Sequence, residues 1–134
     1  MEVRLMPVTT DVKLSTLGYV IVYVKDTEKA KAFYRDVLGL KVKVDHDGWV
    51  ELDTGTTTLA LHGTDELPEK RPGQPIVVFN VPDIYAAYES LKSRGVKFES
   101  DPQKVCEEGD QIGKSADFED PYGNHLSIFG IVKQ

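Results

Sequence analysis

Short stretches of this sequence occur twice in the same order, and that repetition constrains the fold more than any other feature. Val24 and Asp26 in "YVIVYVKD" are matched 57 residues later by Val81 and Asp83 in "VVFNVPD". Leu59, Leu61 and Gly63 are matched 67 residues later by Leu126, Ile128 and Gly130. A length of 134 residues suits one domain of ordinary size rather than two. The chain therefore reads as one domain over residues 1–134, built from two copies of a supersecondary unit that cannot bury both faces of its own sheet.

Each copy has the same grammar. "YVIVYV" is a short apolar run, after which Ala30, Phe33, Tyr34, Val37 and Leu38 recur at helical spacing, with Asp26 placed to cap the helix and Gly39 to end it. "KVKVD", "WVELD" and "TTLALH" then alternate apolar and polar residues between two turns, which predicts three antiparallel strands. The second copy follows with "PIVVFNV", a helix carrying Ile84, Ala87, Tyr88 and Leu91 on one face, and strands in "VKFES", Lys104 to Glu107, "KSADFED" and "HLSIFG". Module one covers about 17–63, a charged Pro- and Gly-rich linker 64–74, and module two about 75–131. The surplus residues of the second copy are expected in the charged loop "KVCEEGDQIGK". The fold class predicted is α+β: two tandem βαβββ modules forming a curved mixed sheet around a cavity, with helices on the outer face.

Charge narrows the partners. Sixteen basic residues against 22 acidic ones give a formal charge of −6, which repels nucleic acid and anionic membrane surfaces and suits a cationic or neutral small molecule. No run approaches the roughly 18 apolar residues of a membrane span, and "MEVRLMPVTTDVKL" lacks the apolar core of a signal peptide. The single cysteine, Cys106, cannot form an internal disulfide, so a reducing cytoplasm is the expected location. Its neighbours Glu107 and Glu108 disfavour a thiolate, making it a poor nucleophile.

Strand alternation sorts side chains by face. Val20, Val22 and Val24 belong under a helix, leaving Tyr19, Ile21 and Tyr23 for the concavity; Val77, Phe79 and Val81 likewise leave Ile76, Val78 and Asn80. Leu59, Leu61, Leu126 and Ile128 belong to the helix side, which sends Ala60, His62, His125, Ser127 and Phe129 inward. Placing Val50 and Leu52 under the helices sends Trp49 and Glu51 inward as well. Tyr19, Tyr23, Trp49 and Phe129 supply either the flat lining of a pocket or ordinary core filling. Glu51 is a cation holder, a general base or a solvated strand-edge carboxylate, and His125 an acid–base group or a structural one. Asn80 orients a ligand or pairs with a neighbouring strand. His62 opens the linker, where solvent is the alternative to the cavity.

The stretches "GYVIVYVKDTEKAKAFYRDVLGLKV", "FNVPDIYAAYESLKSRGVKF" and "DFEDPYGNHLSIFG" resemble the vicinal oxygen chelate superfamily, which includes glyoxalase I, extradiol dioxygenases and bleomycin resistance proteins. The similarity runs over residues 17 to 131. The resemblance implies metal ligands, usually His, Glu or Gln, on the first and last strands of each unit, at Tyr19, Ala60, Ile76 and Ser127 of this chain. None of the four is a good divalent-metal ligand, so no metal and no cofactor are expected. The resemblance then points to a metal-free binding protein of the bleomycin resistance type, assembled as a homodimer, that sequesters a cationic or aromatic ligand on Tyr19, Tyr23, Trp49, Glu51, Asn80, His125, Ser127 and Phe129. The alternative is a glyoxalase- or dioxygenase-like enzyme using a displaced metal site or Glu51 and His125 as acid and base.

Overall fold

A computed structural model describes residues 14–70 and 73–133. Most of the segment read against a signal peptide lies outside the described residues. Module one comprises β1 (Tyr19–Val24), α1 (Thr27–Ala32) continuing as a π-helical turn (Phe33–Val37), β2 (Lys41–His46), β3 (Trp49–Asp53) and β4 (Thr58–Gly63). Module two comprises β5 (Val77–Asn80), α2 (Ile84–Ser93), β6 (Gln103–Glu108), β7 (Gln111–Glu119) and β8 (His125–Lys133). No described helix is long and apolar enough to cross a membrane.

Each helix starts where a carboxylate can satisfy its free amides. The Asp26 side chain accepts from the backbone N–H of Glu28 and Lys29, and Asp83 accepts from that of Ala86. Gly39 and Gly95, at φ +83° and +97°, end the helices in a conformation that favours glycine. The π turn arises because the Leu38 N–H reaches back five residues to the Phe33 carbonyl at 3.1 Å.

The expected curved surface is built from two four-stranded mixed sheets, one per module, ordered β1-β4-β3-β2 and β5-β8-β7-β6. β1 runs parallel to β4 and β5 parallel to β8; the other pairings are antiparallel. β1 and β5 are therefore edge strands, and side chains of both line the crevices between the modules. One continuous core lies on the helix side. Val22, Val24, Val50, Leu52, Leu59 and Leu61 of the first sheet meet Ala30 and Tyr34, and Ala116, Phe118, Leu126 and Ile128 of the second meet Ile84, Tyr88 and Leu91.

The two stretches most specific to the resemblance touch each other. The Tyr34 hydroxyl of "AFYRDVLGL" donates to Asp120 Oδ2 of "DPYGN" at 2.8 Å. Asp120 Oδ2 also accepts from Asn124 Nδ2, and Oδ1 accepts from the backbone N–H of Tyr122 and Asn124. Asn124 Nδ2 reaches the Tyr23 carbonyl of β1 at 2.9 Å. On the other side of the joint, Arg94 Nη1 donates to the Val37 carbonyl.

Two sequence expectations are corrected. "VKFES" contributes a single bridge, Phe98 to Phe118, rather than a strand. The strand expected over Lys104 to Glu107 is present as β6, but the rest of "KVCEEGDQIGK", expected as a loop, is the turn at Gly109 and the start of β7. The first hairpin closes with His46 opposite Trp49 and the second with Glu108 opposite Gln111, 62 residues on. That offset lies halfway between the other two, so the surplus is divided between the approach to β6 and the stretch after the hairpin turn, where β7 is longer than β3.

Candidate functional site

On the concave face of module one, cross-strand pairing sets side chains in rows. Tyr23, His62 and Trp49 form one row, Ile21, Ala60 and Glu51 the next, and Tyr19, Thr58 and Asp53 the third. The Trp49 ring centroid is 5.7 Å from that of His62 and 6.3 Å from that of Tyr19, which stands two rows away. The indole thus lies across the Ala60 row. Its Nε1 donates to Glu51 Oε2 at 2.9 Å, holding the carboxylate in place. Tyr23 packs against His62 with centroids 5.2 Å apart. Val50 and Leu52 are fully buried beneath, which settles the register that the sequence left open between the two pairs, so Trp49 and Glu51 face the concavity.

Tyr19, Tyr23, Trp49 and Glu51 are therefore brought together, with His62 as a fifth member. Sequence reasoning gave His62 the inward register but set it at the start of the linker; it lies inside β4, and its parity in "TTLALH" was the usable signal. Tyr19 remains 54% exposed and Ile21 46%, so the face is open to a ligand.

Module two gathers a different set. Phe129 lies over Gly113, whose missing side chain leaves room for the ring and for Cys106 Sγ. Cys106 sits in β6, within the strand expected over Lys104 to Glu107, and pairs opposite Gly113. Ser127 keeps the predicted face by register but is only 2% exposed, and its hydroxyl donates to the carbonyls of Ala116 and Ile128. A side chain that short lies below its neighbours and turns to the backbone, so Ser127 does not line accessible space. His125 borders a crevice with Ile21 and Tyr23 at the module joint, its Nε2 4.0 Å from Glu119 Oε2. Lys70 also reaches Glu119, at 3.2 Å. Asn80 is exposed at the end of β5 and borders a separate crevice with Leu38, Leu40 and Arg94. Glu51 and His125 belong to different sheets; Glu51 accepts from Trp49 Nε1, and His125 Nε2 lies 4.0 Å from Glu119 Oε2.

The metal positions implied by the resemblance do not fit an ion. Ala60 is fully buried and offers a methyl group; the Ser127 hydroxyl is committed to backbone carbonyls; Tyr19 is a phenol and Ile76 aliphatic. Among the described residues, no group of three or more His, Cys, Asp or Glu side chains is arranged to hold a metal.

Comparison with known proteins agrees with this architecture. A mouse protein, methylmalonyl-CoA epimerase, mitochondrial, is 34% identical over 115 residues, which cover 75% of this chain and 65% of that one. The Bacillus subtilis protein described as uncharacterized protein YetH is 28% identical over 118 residues, covering 83% of this chain and 94% of its own. The crystal structure of TnmS3, an antibiotic binding protein from Streptomyces sp. CB03234, superposes with a TM-score of 0.71 at 27% identity, covering 90% of this chain and 99% of that one. The family model for the Glyoxalase/Bleomycin resistance protein/Dioxygenase superfamily matches residues 16–128, and the chain belongs to that superfamily.

Proposed function

We propose that this protein binds a planar small molecule bearing a positively charged group on the concave face of module one, without metal and without altering the ligand. The observation that carries the reading is the Trp49–Glu51 hydrogen bond set among Tyr19, Tyr23 and His62. Aromatic faces attract a cation through their quadrupoles, worth about 0.5–2 kcal/mol each according to desolvation, and a held carboxylate adds charge pairing. The likeness to a protein described as antibiotic binding supports the same reading. So does the poor fit of Tyr19, Ala60, Ile76 and Ser127 to an ion. The reading includes a homodimer, supported by the exposed apolar side chains of Ile76, Val78 and Ile131 on module two, and light scattering that finds only monomer would remove that part.

Thermal shift with 9-aminoacridine, a planar cation, and anthracene-9-carboxylate, its anionic counterpart, tests the central reading. At 100 times its dissociation constant a ligand stabilises by about 2.7 kcal/mol, roughly 10 °C for a chain of this size. The cation is expected to produce this shift, the anion much less, and Glu51→Gln to abolish most of the difference. Stoichiometric transition metal in protein purified without chelator, or equal shifts with both probes, would overturn the proposal.

A further inference from the structure

Glu51 is not the only charged group on the module-one face. Lys43 lies in a β-bulge between Val42 and Val44, where the register of β2 against β3 slips. The bulge breaks the alternation that would otherwise fix its direction, and its Nζ donates to the Thr58 hydroxyl. Thr58 stands in the row of Tyr19 and Asp53, one row from Ala60 and Glu51, a separation of about 6.8 Å at the rise of an antiparallel strand. Tyr19 shares the row of Thr58, and the indole of Trp49, its ring centroid 6.3 Å from that of Tyr19, donates to Glu51.

The two charges are held apart. Among the described residues no ion pair joins Lys43 to Glu51; a neutral hydroxyl holds the first and a neutral indole N–H the second. Asp53, the acid nearest by row, accepts instead from the backbone N–H of Gly55 in the following turn. Each formal charge is positioned by a neutral group, so each is left for something else to compensate. A ligand carrying only a cation would satisfy Glu51 and meet Lys43 as a like charge, whereas one carrying both signs satisfies both.

We infer that the ligand is a planar molecule with two opposite charges at its two ends, an ammonium read by Glu51 and a carboxylate read by Lys43, with its ring against Tyr19 and Trp49. This rests on the small-molecule reading above and adds the anionic half to it. Trp49 is the single tryptophan, so its fluorescence reports on the site directly.

The test titrates that fluorescence with 4-(aminomethyl)benzoate, benzylammonium and benzoate, which share one ring and differ in charge. The doubly charged probe is expected to bind roughly tenfold more tightly than either control, since one charge-assisted contact is worth about that factor. Lys43→Met should bring it down to the level of benzylammonium, Lys43→Arg should restore it, and Glu51→Gln should bring it down to that of benzoate. Thr58→Val, which removes the group holding Lys43, should weaken the doubly charged probe and benzoate while sparing benzylammonium. If Glu51→Gln weakens the doubly charged probe but Lys43→Met and Thr58→Val do not, the inference fails and the cationic reading stands. If no probe perturbs Trp49 saturably, both fail together. Lys43 is exposed, and Lys43→Arg, which keeps a donor for the buried Thr58 hydroxyl, controls for any structural effect of removing it.

Discussion

Among the contacts that join the modules, the buried hydrogen bond from Tyr34 to Asp120 has a calculable removal cost. Tyr34 is fully buried and Asp120 is 4% exposed. In Tyr34→Phe the ring and its packing remain, and only the 2.8 Å bond from the hydroxyl to Asp120 Oδ2 is lost. The carboxylate keeps three donors: Asn124 Nδ2 on the same oxygen and the Tyr122 and Asn124 backbone N–H groups on the other. Asp120 is therefore weakened rather than orphaned, and the cost is that of one hydrogen bond to a charged group, about 1.5–3 kcal/mol. For a chain of this length about 2 kcal/mol lowers the melting temperature by roughly 7 °C. Asp120→Ala should cost more, about 3–5 kcal/mol, because it strands the buried tyrosine hydroxyl and both loop amides. Urea denaturation of the two single variants and the double variant measures the coupling, expected to be at least about 1 kcal/mol. Strictly additive losses, or a Tyr34→Phe protein within about 0.5 kcal/mol of the parent, would refute the view that this contact ties the modules together.

Two further predictions concern the same joint and the second sheet. Burial, reinforced by the Asp120 charge and hydrogen bond, raises the Tyr34 pKa well above that of a free tyrosine. The sign follows from linkage: below the unfolded value near pH 10 the stabilisation is fully present, and above it the unfolded chain loses a proton that the folded one retains. Stability should then fall by up to about 1.4 kcal/mol per pH unit through this residue. Urea midpoints of the parent minus those of Tyr34→Phe should therefore narrow as pH rises from about 10 to 11, and a constant difference would count against it. In module two, a Cβ at Gly113 would collide with Cys106 Sγ and come within 2.8 Å of the Phe129 ring. Gly113→Ala should destabilise by about 1–3 kcal/mol in thermal melts, with part recovered by adding Cys106→Ala, and an unchanged melting temperature would show that the ring shifts freely.

The repeat and the strand parity carried most of the architecture. Val20, Val22, Val24, Leu59 and Leu61 lie on the helix side as alternation requires, and Asp26 and Asp83 cap the helices they were assigned. Parity also gathered Tyr19, Tyr23, Trp49 and Glu51, because period-two reasoning holds wherever a strand is regular. It failed at irregularities. The bulge at Lys43 leaves no mark in "KVKVD", and the expectation of a strand over Lys104 to Glu107 stops short of the turn at Gly109 and the start of β7. Ser127 shows a different limit: parity gives a face, but exposure depends on the height of neighbouring side chains.

Ala60 and Trp49 show why aromatic and metal sites are alternatives on this floor. Ala60 pairs with Ile21 on one side and Glu51 on the other, at the centre of the three rows. An indole that reaches from His62 toward Tyr19 while donating to Glu51 crosses that row, where a small side chain such as a methyl leaves it room. A histidine or glutamate there would project into the volume the indole occupies and, without metal, would bring a polar group that needs its own partner. In the present arrangement the methyl is fully covered, the indole N–H is satisfied, and the carboxylate beside it is fixed with one oxygen committed and the other free to meet a ligand. The methyl at position 60 thus leaves the indole its room, and the indole N–H in turn holds Glu51 on the open face.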